Sequence, residues 1–339
     1  MAQLQPMPVF LNEPGGADRG LICGYELTPG AVPAEISADG IVPALARSEG
    51  VTWLHFNLSD ARARRWLLEA SFVPDALREV LQEHDGNRRV EFVDRGLLLV
   101  ISDFTYEESA EPGEMVPLWC FAAPRMLLTA RLHPVKSADD LRLHMRRGAS
   151  ASSGVELLGQ LLDIRTGRVK RMANDMTAHL DDIEDEILAG NIKQQRAQLG
   201  RTRRLCARLR RELAPERSDM SKFLHRPAEE LSAADREVLQ ASNDALGFAL
   251  EEIAELYERA KLLQEELASR VAENTNRNLY VLSILTAVLL PMTLVTGVFG
   301  MNTAGLPGLQ GAHSFWWVML LIILSGAVTL ALLFWRKLL

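Results

Sequence analysis

The pattern of apolar positions changes twice along the 339 residues. At first it is short and partly alternating. Thr52–Leu58, Arg89–Val93, Leu97–Phe104, Val116–Ala122 and Met126–Arg131 have the period-two, β-branched and aromatic character of strands, separated by Gly, Pro and acidic turns. Ala61–Ala70 and Pro74–Glu83 predict short helices, the second opened by a proline in its first turn. Residues 1–20, rich in Pro and Gly, predict a loose segment. Residues 1–150 are therefore expected to form a mixed α/β domain.

From about Val155 the period becomes helical. Val169, Met172, Met176, Leu180, Ile183 and Ile187 recur every three or four residues as one apolar stripe. Ala189-Gly190-Asn191 interrupts it, and an Arg-rich helix follows to Leu213, before Pro215. Residues 151–230 thus predict a helical hairpin, with Ser218–Glu230 as a loop. Ser232 then caps a long helix, with Asp235 completing a variant of the capping box. Leu239, Leu246, Ile253, Ala260 and Leu267 fall every seven residues, accompanied by Ala249, Leu256 and Leu263, which is a seam for packing on another helix. No breaker stands between Ala249 and Pro291, so this stalk (231–278) is expected to continue unbroken past Asn278; the alternative is two helices meeting at a bend near Asn274–Asn278.

Charge then changes the picture. Hydrophobic residues at 48% and charged residues at 24% look soluble, yet all 44 acids lie at or before Glu273, and the 58 residues 278–335 contain no Asp, Glu, Lys or Arg. One crossing needs roughly 20 apolar residues, so this stretch holds two: a first span at 279–300, a loop at 301–314 and a second span at 315–335, before a tail at 336–339. Arg270, Arg277, Arg336 and Lys337 flank one side and the loop has no Lys or Arg, which places both termini in the cytoplasm. The first ten residues lack the basic and apolar regions of a signal peptide. Residues 1–277 carry a net charge of −9, brought to −7 by Arg336 and Lys337, and an acidic chain is a poor ligand for nucleic acid. Cys23, Cys120 and Cys206 form no CxxC pair, which fits a reducing compartment and neither a disulfide framework nor a thiolate zinc site. No phosphate loop, dinucleotide fingerprint or nucleophile elbow is present, so no enzyme is expected.

Two helices cannot enclose a water-filled path, so a pore would require several chains. Taking about 100° per residue, Asn276, Leu279, Ser283, Thr286, Leu290, Thr293 and Gly297 fall within an arc of about 100° on the first span. Such an arc serves either as a polar lining or as a close-packing surface, since small and hydroxylated residues favour both. No ionisable side chain lies in either span. An ion would meet hydroxyls, carbonyls and apolar narrowings at Leu279, Leu282 and Leu290, and a divalent cation would keep much of its hydration shell.

At the outer end of the first span stands Phe299-Gly300-Met301-Asn302. Gly300-Met301-Asn302 closing the first of two C-terminal spans resembles the signature of the CorA family of divalent metal-ion transporters. Asn274–Asn278, Leu290-Pro291-Met292-Thr293 and Asn302–Gly308 look like its zinc-transporting ZntB branch. The match is specific over residues 232–339 and one of layout before that. The resemblance implies a funnel-shaped homopentamer in a bacterial inner membrane, with an α/β cytoplasmic domain, a long helical stalk and two C-terminal spans. Carried onto this chain, its pore face comprises Asn276, Leu279, Leu282, Ser283, Thr286, Leu290, Thr293, Gly297, Gly300, Met301 and Asn302, nearly the arc already identified. Zinc is then cargo, with no resident cofactor. The loop 303–314 lacks the acid that magnesium-transporting members typically carry, and Phe299 stands where Tyr is common; both favour zinc. Import, with or without proton coupling, is the leading reading, against efflux, a magnesium or cobalt channel, or a two-span membrane-anchored sensor.

Candidate metal ligands are His313 in the outer loop and the pair His179 and Asp182, three apart on one helix. Asp175, Asp181, Asp182, Glu184, Asp185 and Glu186 line the same helix; they form either a cation-attracting surface or a solvated face. The remaining histidines, His55, His84, His133, His144 and His225, lack ligand spacing and read as structural.

Overall fold

The computed structural model describes residues 20–83, 86–106, 113–190, 195–226, 231–301 and 313–335. They fall into two compact units, Met1–Leu263 and Gln264–Leu339.

The first unit is built on a seven-stranded sheet. Its strands are β1 (Leu21–Leu27), β2 (Ala34–Glu35), β3 (Val51–Asn57), β4 (Arg89–Val93), β5 (Gly96–Phe104), β6 (Met115–Ala123) and β7 (Met126–Arg131). They lie in the order β2-β1-β3-β7-β6-β5-β4, with β3 and β7 parallel and every other pair antiparallel. Both faces are covered. Leu98 and Val100 of β5, Phe56 of β3 and Leu128 of β7 pack under α1 (Ile41–Ala46), α2 (Ala61–Glu69) and α3 (Asp75–Glu83). Leu97, Leu99 and Ile101, on the opposite face of β5, pack with Leu118 and Leu127 under α4 (Lys136–Arg146) and α5 (Gly154–Leu188). Residues 97–101 can be apolar without alternation because neither face meets water.

β1 and α4 are absent from the elements that the pattern predicts. β1 is a middle strand whose pattern is broken by Glu26, which is buried and paired with Arg47 at 2.6 Å. The first turn of α4 is stabilised from a distance: Ser137 donates its N–H (3.1 Å) and its hydroxyl (2.6 Å) to the buried Asp103 carboxylate of β5. A cap 34 residues away leaves no local signature.

α5 runs parallel to the first part of α7 (Ala233–Phe299), and α6 (Gln195–Leu224) runs back between their ends. Ser242 bonds to Asp163 at 2.8 Å and Arg259 to Asp181 at 2.7 Å. On α6, Cys206 meets Met176 and Glu216 meets Arg165. The apolar stripe of α5 is buried at Val169, Met176, Leu180, Ile183 and Ile187, with Met172 half-buried. The seven-residue seam of α7 is buried at all eight positions, from Leu239 to Leu267. Ser232 accepts from the Asp235 N–H at 3.0 Å, as the capping box requires. The helix continues through Asn274–Asn278 without the alternative bend.

One expectation is corrected. α6 does not stop before Pro215 but continues through it to Leu224, so most of the expected loop at 218–230 is helix. An internal proline costs about 3 kcal/mol. Burying Met220, Phe223 and Leu224 against the sheet returns about 1.5–3 kcal/mol each, and packing prevails.

Candidate pore helix and its charged surroundings

Within the second unit, the C-terminal part of α7 and α8 (Ser314–Trp335) are both long and apolar enough to span a membrane. Each carries one half-buried stripe. On α7 it is Ile284, Ala287, Val288, Pro291, Met292, Val295 and Phe299; on α8 it is Val318, Ile322, Ser325, Thr329 and Leu333, with Gly326 buried. A Cβ on Gly326 would stand 2.1 Å from the Met292 Cε, so these stripes meet where the glycine leaves room for the thioether.

This contact identifies the other side of α7. Asn276, Leu279, Leu282, Ser283, Thr286, Leu290, Thr293 and Gly297 are all exposed. At about 100° per residue, their arc is centred roughly 150° around the helix from the stripe facing α8. The threonines on this arc are polarised in a particular way. Thr286 donates its hydroxyl to the Leu282 carbonyl (2.8 Å) and Thr293 to the Leu290 carbonyl (2.9 Å). With the proton committed to the backbone, each oxygen presents lone pairs outward. Ser325 and Thr329 of α8 bond to their own backbone in the same way, but on the stripe facing α7.

α7 ends where the Gly-Met-Asn signature begins. Gly300 donates to the Thr296 carbonyl at 2.8 Å, and a Cβ on Gly300 would meet that oxygen at 2.9 Å, so a side chain would crowd this closing turn. Met301 is exposed beyond it. Asn302 and residues 303–312 lie outside the described residues, as do Arg336, Lys337 and His84. His313 is exposed, and its carbonyl accepts from Trp316 and Trp317 as α8 starts.

The candidate ligands in the first unit are not assembled into a metal centre. Among the described residues no three His, Cys, Asp or Glu side chains are grouped as a cation would need. His179 and Asp175 line a cleft opposite Arg201, Arg204 and Arg208; Asp182 is not part of that lining. Asp181 and Glu184 are both paired with Arg259, whose guanidinium is held above its ordinary pKa by hydrogen bonds to them. The acidic run is therefore partly neutralised within the chain.

His55 is structural, as its spacing suggests. It is buried, and Arg131 donates its Nε–H to His55 Nε2 at 3.2 Å. That leaves Nδ1 to donate to Thr129 Oγ1 at 2.8 Å, which also accepts from Trp53 Nε1 at 3.0 Å. Burial, with Arg131 and Arg142 nearby, holds its pKa well below 6.5. The cysteines are buried free thiols. Burial pushes Cys23 up to about 12, Cys206 up to about 11, and Cys120 further in the same direction. Such thiols are poor metal ligands.

The sequence pattern gives no sign of the buried pair Arg165–Glu216. Arg165 donates Nη1–H to Glu216 Oε2 (2.8 Å) and to the Ser102 carbonyl (2.9 Å), and its Nη2 bonds to Glu216 Oε1. It joins α5 and α6 to β5. A lone Arg in a charged helix and a Glu after a proline carry no local hint of it.

Comparison with known proteins gives these features a family. Residues 48–337 match the family described as CorA-like Mg2+ transporter protein. The chain is 31% identical over 325 residues to the divalent cation transporter CmaX of Pseudomonas aeruginosa, covering 95% of this chain and 97% of the relative. It is 27% identical over 294 residues to the zinc transport protein ZntB of Pectobacterium carotovorum, covering 85% and 90%. The structure of full-length CmaX superposes with a TM-score of 0.79 at 30% identity, over 96% of this chain and 99% of that one. The CorA magnesium transporter of Methanocaldococcus jannaschii shares the fold, with a TM-score of 0.73 at 16% identity over 91% and 96%. An α/β domain, a long helix, two C-terminal spans and a match over most of the length lead to one conclusion: the chain belongs to the CorA family of divalent-cation transporters, and is not an enzyme.

Proposed function

We propose that the chain forms a homopentamer in a bacterial inner membrane and imports zinc through a central pore lined by the first span. The observation that carries this reading is the position of the polar arc. α8 covers one side of α7, and the side bearing Ser283, Thr286, Thr293 and Gly297 is exposed, with no partner among the described residues. Sibling copies around an axis give that side its environment, and pentamers are the assembly of this family.

The chemistry suits a hydrated divalent ion. Its first-shell waters point hydrogens outward, and the Thr286 and Thr293 oxygens, already donating to the backbone, accept them. Five α7 C-termini converge at the outer mouth, each contributing roughly half a negative charge from unpaired carbonyls. Asn302, which follows Met301 in the sequence, supplies an amide oxygen able to accept from the ion's water. Leu279, Leu282 and Leu290 are the narrowings that close by excluding water.

Zinc is favoured by the ZntB-like sequence around Asn274–Asn278 and Asn302–Gly308, the 27% identity to a zinc transport protein, and an outer loop without acids. His313 is the group there with affinity for zinc. The test is flux into liposomes holding a zinc-sensitive dye, with magnesium and cobalt as competitors and the proton gradient imposed in each direction. Zinc entry that is lost in Asn302→Ala, with the variant still folded, supports the reading. Magnesium entry without zinc entry removes the zinc assignment, and no flux of any divalent ion removes the pore.

A further inference from the structure

The cleft between α5 and α6 lies outside the candidate pore face, and its lining does not suit a cation. It holds about 650 Å3, within the range of small-molecule sites. α6 supplies Arg201, Arg204 and Arg208, spaced three and four residues apart and so on one helical face. Arg201 and Arg204 have no ion-pair partner among the described residues. Facing them on α5 are His179 and a single acid, Asp175. A divalent cation would meet three guanidinium groups in this space, which favours an anion over zinc beside His179.

The rest of the lining narrows the ligand. Met172, Met176 and Leu205 form an apolar floor, where thioethers provide an adaptable surface for a flat or irregular apolar body. Inorganic phosphate would leave that floor and most of the volume unused. Asp175 accepts hydrogen bonds only and would oppose a pure polyanion, so a fitting ligand also carries donor groups. Anionic oxygens for the arginine row, an apolar ring for the methionines and hydroxyl or amino donors for Asp175 occur together in a nucleotide.

We propose that this cleft is a binding site for a nucleoside polyphosphate, with Arg201, Arg204 and Arg208 on the phosphates, Met172 and Met176 against the base, and Asp175 accepting from a hydroxyl or amino group. The site is independent of which metal crosses the membrane.

The experiment uses the full-length protein in detergent with EDTA present, so that no metal–nucleotide complex occupies the transport path. Calorimetric titration is carried out with ATP, tripolyphosphate and adenosine separately. Saturable ATP binding is expected, at least tenfold tighter than either fragment and weakened by added salt. Arg201→Gln combined with Arg204→Gln weakens it at least tenfold; neither side chain is part of the buried core, so the fold is retained, as circular dichroism checks. Met172→Trp, which fills the floor from the opposite helix, weakens ATP but not tripolyphosphate. No saturable ATP binding, binding unchanged in the double variant, or tripolyphosphate binding as tightly as ATP would each overturn the assignment.

Discussion

Replacing Arg165 by Met should cost more than any surface substitution in this protein. Arg165 is 1% exposed and Glu216 3%, so the carboxylate left behind has little water to solvate it. Arg165 provides two charge-assisted contacts to Glu216 and one to the Ser102 carbonyl. After the substitution, Glu216 retains, among the described residues, a long contact from the Ser102 N–H at 3.4 Å. Removing one partner of a buried pair typically costs about 3–5 kcal/mol, against total domain stabilities of about 5–15 kcal/mol. Most of that cost is the abandoned charge, so Arg165→Met with Glu216→Leu should recover all but about 1–2 kcal/mol. The assay is urea unfolding of the full-length protein in detergent, followed by tryptophan fluorescence; Trp53 and Trp119 report from the two sheet faces. A single-variant loss below about 1 kcal/mol, or a double variant as unstable as the single, would refute the reasoning.

Thr286→Val and Thr293→Val keep shape but remove the outward acceptors, and together should reduce divalent-ion flux in liposomes about tenfold; Thr329→Val, on the α8 stripe, should leave flux within about twofold. Gly326→Leu puts a side chain where the Met292 Cε lies and should separate α7 from α8, lowering the thermal midpoint in detergent; Gly326→Ala, which the flexible thioether can accommodate by shifting, should cost about 1–3 kcal/mol. His55 has a depressed pKa when folded and about 6.5 when unfolded, so below pH 6.5 the unfolded chain binds a proton that the folded one refuses. Stability should be level above pH 6.5 and fall as pH drops below it, by up to about 1.4 kcal/mol per unit, and His55→Gln should remove that slope in denaturant titrations at about pH 5 to 7.

What was legible in the sequence was what local periodicity encodes. The strands Arg89–Val93 and Met126–Arg131 have the expected bounds, and the α7 seam is buried at each predicted position, because burial on one side of a regular element leaves a repeating pattern. The polar arc was also visible, but its environment was not. Only the placement of α8 shows that Ile284, Ala287, Val288 and Met292 face the neighbouring span while Thr286 and Thr293 face away. What escaped depends on partners remote in sequence: the Asp103 cap on α4, the Glu26–Arg47 pair in β1, and the packing that carries α6 through Pro215. The acidic run on α5 was legible as charge, whereas its pairing with Arg259, 75 residues from Glu184, was not.

Cysteine accessibility at Thr293 tests the central claim most directly. The native cysteines are buried, so a charged, membrane-impermeant thiol reagent should report on an introduced thiol in the otherwise unaltered protein. Labelling of Thr293→Cys that blocks ion flux, with Ser325→Cys unlabelled under the same conditions, is the predicted result. A Thr293→Cys protein that conducts, resists the reagent and reacts only with a lipid-soluble maleimide would show that this side of the helix faces acyl chains, and would contradict the account.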